Sequence, residues 1–190
     1  MKKIILLSVI SFLSGIAMAD GPDKTDTGIN YNFIESGYNS FKSGSYTWTG
    51  YEVTGNFLVS EKVYFTANFT NLTPKTSGLN NIESSYLGLG YRYPVASQTD
   101  LFADVSASSR TMSSTDTGYK LTAGAKSKIA NQTFVNGSYS YLSLGSDHYN
   151  LLSGELKFNM IDELYVYGRY NMYTGSDSIK TYSVGLGFNF

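Results

Sequence analysis

Apolar and polar residues alternate along most of this chain with a period of two. In residues 63–69 (VYFTANF) every second side chain on one face is apolar, and residues 183–190 (SVGLGFNF) keep the alternation up to the final phenylalanine. This period is typical of β-strands with one apolar and one polar face. Beyond the N-terminal segment no stretch keeps the 3.6-residue apolar period of an amphipathic helix, so the pattern predicts an all-β fold.

The alternation predicts ten strands of about ten residues each. They are placed at 29–39, 48–59, 62–71, 83–93, 100–109, 117–128, 133–143, 149–160, 163–173 and 179–190. In the first, seventh and ninth strands the parity is unclear, which means that the pattern does not show which alternate residues form the apolar face. Merging the first two strands and dropping a weak one gives eight, so both counts stay open. Tight turns alternate with polar and usually longer connections, as in a meander of hairpins.

The N-terminus has the pattern of a secretory signal peptide. Lys2 and Lys3 precede an apolar run over residues 4–13, and Ala17 and Ala19 form a small-residue cleavage site. We therefore expect residues 1–19 to be removed after export through the Sec pathway, and residues 20–190 to form one domain. The segment is too short to be a membrane anchor.

Composition narrows the choice of function. The chain has 17 Tyr, 11 Phe and 19 Gly, but only 3 Pro and no Cys. Without cysteine there are no disulfides and no thiolate metal sites. The formal net charge of −1 offers no basic footprint for nucleic acid. We expect no cofactor and no metal ion.

The two faces of the predicted strands distinguish a membrane barrel from a soluble β-sandwich. The second face carries Gly, Ser, Thr and Asn with a few charges, whereas a sandwich presents a strongly charged outer face. Aromatic side chains lie outward near both ends of the strands, as expected of the two aromatic girdles of a membrane barrel. In lipid the sheet must close on itself. The sequence thus predicts a transmembrane antiparallel up-and-down β-barrel with both termini in the periplasm; a soluble sandwich is the alternative.

Charged residues on the inward parity are the candidate site. Four acids and five bases are assigned there: Glu35, Glu52, Arg92, Asp104, Lys120, Lys126, Glu155, Lys157 and Arg169. Charges removed from bulk water pair with one another or change protonation. The mixture favours a salt-bridge network across a narrow, side-chain-filled lumen. A narrow ion-selective pore is the second hypothesis, although such pores favour a ring of one sign.

Enzymatic chemistry has little support. The sole histidine, His148, lies beside Asp147 and Ser146 in a predicted outer loop. Adjacent residues rarely form a catalytic triad, because base and nucleophile must converge in space. The longest predicted loop, residues 71–84, is a possible surface for partner recognition. We expect no catalytic residues.

The end of the chain resembles the C-terminal signal of bacterial outer-membrane proteins. Ser183, Gly185, Phe188 and Phe190 match its polar, glycine, aromatic and terminal aromatic positions. The whole mature chain resembles the small outer-membrane barrel superfamily, which includes OmpA-type domains, OmpX-like proteins and neisserial opacity proteins and is typically eight-stranded.

This resemblance implies a location in the bacterial outer membrane, among its lipids and lipopolysaccharide. It also implies recognition by the barrel-assembly machinery. We expect periplasmic chaperones as further partners, and a monomeric state. The leading functional hypothesis is a non-enzymatic barrel with a filled lumen that supports the envelope or presents loops to the outside. A narrow channel for ions or small solutes is the alternative, and a lipid A-acting enzyme is the third.

Overall fold

A computed structural model describes residues 27–174 and 179–190. These residues form ten strands. They are β1 (Phe33–Ser43), β2 (Tyr46–Leu58), β3 (Val63–Pro74), β4 (Ile82–Ala96), β5 (Thr99–Thr111), β6 (Thr115–Ala130), β7 (Thr133–Leu144), β8 (Asp147–Asn159), β9 (Leu164–Thr174) and β10 (Ile179–Asn189). The predicted signal peptide, including Ala17 and Ala19, lies outside the described residues. Within these ranges, no helix has the length and hydrophobicity to cross a membrane.

The strands form a closed antiparallel barrel. Each strand pairs with its neighbours in sequence, and β1 pairs with β10 from Phe33↔Asn189 to Ser43↔Ile179. The predicted ten-stranded up-and-down barrel is therefore confirmed. The eight-strand alternative is wrong, because the first, seventh and ninth strands pair along their length with both neighbours.

The first strand begins later than predicted. The sequence places it at 29–39, whereas β1 starts at Phe33. Gly28 has a φ of 63°, a left-handed conformation that glycine adopts without strain. Ile29 and Tyr31 are buried, so residues 27–32 lie inside the barrel at the end where the chain enters.

The connections at the other end are shorter than the sequence suggests. Two of them, residues 44–45 and 145–146, are two-residue turns. Gly44 and Gly145, the first residue of each turn, have φ values of 57° and 59°. A positive φ at this position is what a type II′ hairpin turn requires. The longest connection at this end among the described residues is 75–81. We call this end the loop end and the opposite one the short-turn end.

The outer surface of the barrel is apolar. Leu87, Leu121, Leu152 and Val184 are between 46 % and 60 % exposed. Of the outward-facing residues in the described strands, only Lys42, Glu83 and Lys180 are charged, and all three lie near the loop end. The strands run from 11 to 16 residues, which covers the roughly 9–11 residues of a tilted membrane crossing.

Candidate functional site in the barrel lumen

An ion-pair network lines one half of the lumen. Arg169 on β9 donates from Nε to Glu155 Oε2 at 2.6 Å, from Nη1 to Glu52 Oε1 at 3.0 Å and from Nη2 to Glu35 Oε2 at 2.6 Å. Lys157 on β8 bonds Glu35 and lies 3.3 Å from Glu155. One guanidinium thus joins three carboxylates, which uses the fixed fork geometry that arginine provides.

Two tyrosines complete this network. Tyr165 donates its hydroxyl to Glu35 at 2.9 Å, and Tyr167 donates to Glu52 at 3.2 Å. Both rings are 2 % exposed or less. The sequence analysis named neither tyrosine, although both share the parity of Arg169, which it assigned to the lumen. Gly187 leaves room for one of them: it pairs with Tyr165, and a Cβ there would lie 2.1 Å from that ring.

The network includes five of the nine charges that the sequence assigned to the lumen. Its five charged members come from β8, β9, β1 and β2, which with β10 form five adjacent strands. None of them comes from β3 to β7. The side chains of β10 in between are small, because Ser183 and Gly185 face inward, and they leave space for Arg169 to reach both sides.

The other four predicted charges lie on the opposite half. Lys120 Nζ stands 4.2 Å from the centre of the Tyr86 ring, and Lys126 Nζ stands 4.1 Å from that of Tyr31. In the described part of the chain neither lysine has a carboxylate within 4.0 Å. Asp104 lies 3.5 Å from the Tyr64 hydroxyl, at the limit of a hydrogen bond.

Arg92 belongs to a separate pair near the short-turn end. Its Nε lies 3.6 Å from Asp100 Oδ2, and its Nη1 donates to the Ile29 carbonyl at 3.2 Å. Asp100 is fully buried and was not predicted as a site residue. It shares the inward parity of Phe102 and Asp104, so the alternation contained the signal. Arg92 thereby fastens the N-terminal segment to the barrel wall.

The N-terminal segment fills much of the short-turn end. Ile29 and Tyr31 form an apolar cluster with Tyr64 and Phe102. The rings of Tyr31 and Tyr64 are 5.1 Å apart, and Tyr31 has no exposed surface. The segment therefore narrows the lumen at the end where the chain enters.

Two cavities lie in the lumen that the described residues enclose. The larger, about 470 Å³, extends from Trp48 and Asp147 at the loop end down to Phe102. The smaller, about 230 Å³, lies at the short-turn end beside Ile29 and Asn189. Three side chains line both cavities: Lys126, Asn136 and Glu155. These side chains, which we call the shared layer, lie directly opposite one another on β6, β7 and β8, where the two spaces adjoin.

The sole histidine is placed away from the lumen. His148 Nδ1 lies 3.1 Å from the Tyr141 hydroxyl, and the two rings stack with centres 5.9 Å apart. The neighbouring Asp147 points the other way and pairs with Arg110 at 3.1 Å. The structure therefore does not bring His148 and Asp147 together as a base and its orienting acid. Among the described residues, no three His, Asp or Glu side chains group as metal ligands.

The predicted C-terminal signal occupies β10 and the residue after it. Ser183 and Gly185 face the lumen, whereas Phe188 and Phe190 face outward and are 46 % and 56 % exposed. The backbone N–H of Phe190 donates to the Asn32 carbonyl at 3.1 Å. The last residue thus helps to close the barrel. Recognition by the assembly machinery stays a prediction.

Comparison with known proteins identifies the fold. No family model matches the chain, and no curated protein matches it. Solved structures of small outer-membrane barrels do. The KdgM porin is 9 % identical, with a TM-score of 0.50 over 83 % of this chain and 99 % of that one. The NanC porin is 12 % identical (TM-score 0.47; 83 % and 100 % covered). Ail of Yersinia pestis is 14 % identical (TM-score 0.41; 85 % and 100 %). The chain has the fold of small bacterial outer-membrane β-barrel proteins.

Proposed function

We propose that the protein is an integral, non-enzymatic barrel of the bacterial outer membrane that acts as a narrow channel for ions and small hydrophilic solutes. The observation that carries this proposal is the pair of lumen cavities that meet at the shared layer of Lys126, Asn136 and Glu155. A small rearrangement of these side chains joins the two spaces into one path. The apolar outer surface supports the placement in lipid.

The side chains of the lumen suit the passage of ions and small solutes with weak charge selectivity. Small polar side chains such as Thr66, Ser108 and Ser140 line the larger cavity and offer hydrogen bonds to water and to solutes. At the shared layer, the ammonium of Lys126 and the carboxylate of Glu155 carry opposite charges, whereas strongly selective pores present a ring of one sign. Currents should therefore be small and carried by both anions and cations.

A closed barrel that supports the envelope or binds partners at its surface is the second candidate. The packing of residues 27–32 inside the short-turn end favours it, as does the ion-pair network over half of the lumen. In that case the side chains of the shared layer stay in place, and the cavities hold water without conducting.

Conductance of the purified protein in planar lipid bilayers distinguishes the two. A channel gives small, repeated current steps. Asn136→Trp adds bulk at the shared layer and should reduce the step size several-fold. The matched control is Ala123→Trp, because Ala123 faces outward on β6 and its replacement should leave the steps unchanged. An absence of steps in the parent protein, with the barrel folded, would favour the closed barrel.

A further inference from the structure

Three lysines form a row on the outer surface at the loop end. Lys42 on β1 lies directly opposite Lys180 on β10 and directly opposite Thr47 on β2. The next chain segment adds Lys75, whose backbone N–H donates to the Thr47 carbonyl at 2.9 Å. Residues directly opposite each other in an antiparallel pair point to the same face. The row therefore runs Lys180, Lys42, Thr47, Lys75 across four adjacent strands.

The row faces the surroundings of the barrel. Lys180 shares the parity of Tyr182 and Val184, which are 51 % and 60 % exposed on the outer surface. Lys75 continues the outward parity of Phe69 on β3, which is 41 % exposed. The lysines of the lumen, by contrast, lie on β6 and β8.

No carboxylate of the described residues neutralises these lysines. Within that part of the chain, none of the three has an acidic oxygen within 4.0 Å. The outward-facing Glu83 accepts a bond from Asn71 Nδ2 at 3.0 Å, farther down β3. Like charges directly opposite each other destabilise a strand pair. An anionic partner from outside the chain would remove this repulsion.

The height of the row matches the headgroup level of a membrane. Tyr182 lies two residues from Lys180 toward the middle of the barrel, which corresponds to about 7 Å along a strand. Its ring is 5.0 Å from that of Tyr170, and Tyr38 on β1 is 51 % exposed. Tyrosines concentrate at the boundary between hydrocarbon and headgroups. The lysines lie just beyond this boundary, where basic side chains attract anionic lipid headgroups.

We propose that this lysine row binds the phosphate groups of lipopolysaccharide in the outer leaflet. Neighbouring strands are about 4.8 Å apart, so the row spans roughly 14 Å, which allows more than one phosphate of a headgroup to bind at once. The inference rests on the outer-membrane placement proposed above and does not depend on conduction.

Thermal unfolding of the purified, folded protein in detergent, with and without added lipopolysaccharide, tests the proposal. Lipopolysaccharide should raise the melting temperature of the parent protein, because a ligand of the folded state stabilises it. The variant Lys42→Gln/Lys180→Gln should lose at least half of that rise. The matched control for the single variant Lys42→Gln is Lys62→Gln, which also removes one lysine charge but does so in the turn between β2 and β3, at the short-turn end. Lipopolysaccharide should raise the melting temperature of this control as much as that of the parent.

Two further ligands identify the group that is bound. Dephosphorylated lipopolysaccharide should stabilise the parent much less, and free pyrophosphate should not replace the intact lipid. The proposal is wrong if the double variant responds like the parent, if removal of the phosphates has no effect, or if pyrophosphate alone gives the full rise. Gel mobility of unheated samples shows that the variants are folded. Failure of this test leaves the channel proposal intact, since conductance decides that one separately.

Discussion

Replacing Arg169 should destabilise the barrel more than replacing any other single arginine in the described part of the lumen. The guanidinium bonds three carboxylates, those of Glu35, Glu52 and Glu155, and the Arg169 side chain is 15 % exposed. In Arg169→Met the only cation left in the network is Lys157. Glu52 then has only hydrogen bonds, from Asn39 and Tyr167. Removing one partner of a buried ion pair costs about 3–5 kcal/mol, so we expect the free energy of unfolding to fall by that amount.

Arg110→Met is the matched control. Arg110 also points inward, but its partners are exposed: Asp147 at 3.1 Å has a side chain 50 % exposed, and Asp116 at 3.5 Å one 40 % exposed. Exposed ion pairs contribute about 0–1 kcal/mol, so this variant should be nearly as stable as the parent. Arg169→Lys should give an intermediate loss, because an ammonium keeps the charge but lacks the planar fork.

Urea-induced unfolding from lipid vesicles measures these differences. The fluorescence of Trp48 reports the transition, since it is the only tryptophan of the sequence and is 5 % exposed in the folded barrel. If Arg169→Met loses no more stability than Arg110→Met, the network is screened by water. The lumen then lacks the low-dielectric character that a cost of about 3–5 kcal/mol requires.

Three other changes have defined outcomes. Removing residues 20–32 should enlarge the conductance steps in planar bilayers, because the described part of that segment narrows the short-turn end; unchanged steps would place the limiting layer elsewhere. Gly187→Ala should cost about 1–3 kcal/mol in the urea assay, because its Cβ would lie 2.1 Å from the Tyr165 ring, whereas Gly137→Ala has nothing within 4 Å and should be tolerated. Deleting Phe190 should lower the amount of folded protein in the outer membrane; a normal amount would contradict the assembly-signal prediction.

The alternation of side chains predicted the strands, and the composition of their two faces with aromatic residues near both ends predicted the barrel. It separates Leu101 from Phe102 and Leu121 from Lys120, and the structure places each on the expected side of the wall. This works because the strand period is two, so one correct register assigns a whole strand. The same alternation predicted ten strands but left a count of eight open.

The details of the lumen were harder to predict, for two physical reasons. The sequence Tyr165-Val166-Tyr167 is apolar at every position, so the alternation within it does not show which rings face the lumen, and only the inward assignment of Arg169 pointed to Tyr165 and Tyr167. Residues 29–32 resemble a strand in composition, but they fold into the barrel because the ring of Tyr31 packs against that of Tyr64. Both features depend on contacts between distant parts of the chain. The grouping of Arg169 with three carboxylates depends in the same way on barrel closure.

The most direct test of the account is the electrophoretic mobility of protein extracted from outer membranes, unheated and boiled. A closed barrel resists the detergent until it is heated, so the unheated sample should migrate faster than the boiled one. Protein found soluble in the periplasm, with the same mobility before and after boiling, would contradict the membrane barrel. The placement of the ion-pair network inside the barrel and of the lysine row on its outer surface would then have no basis.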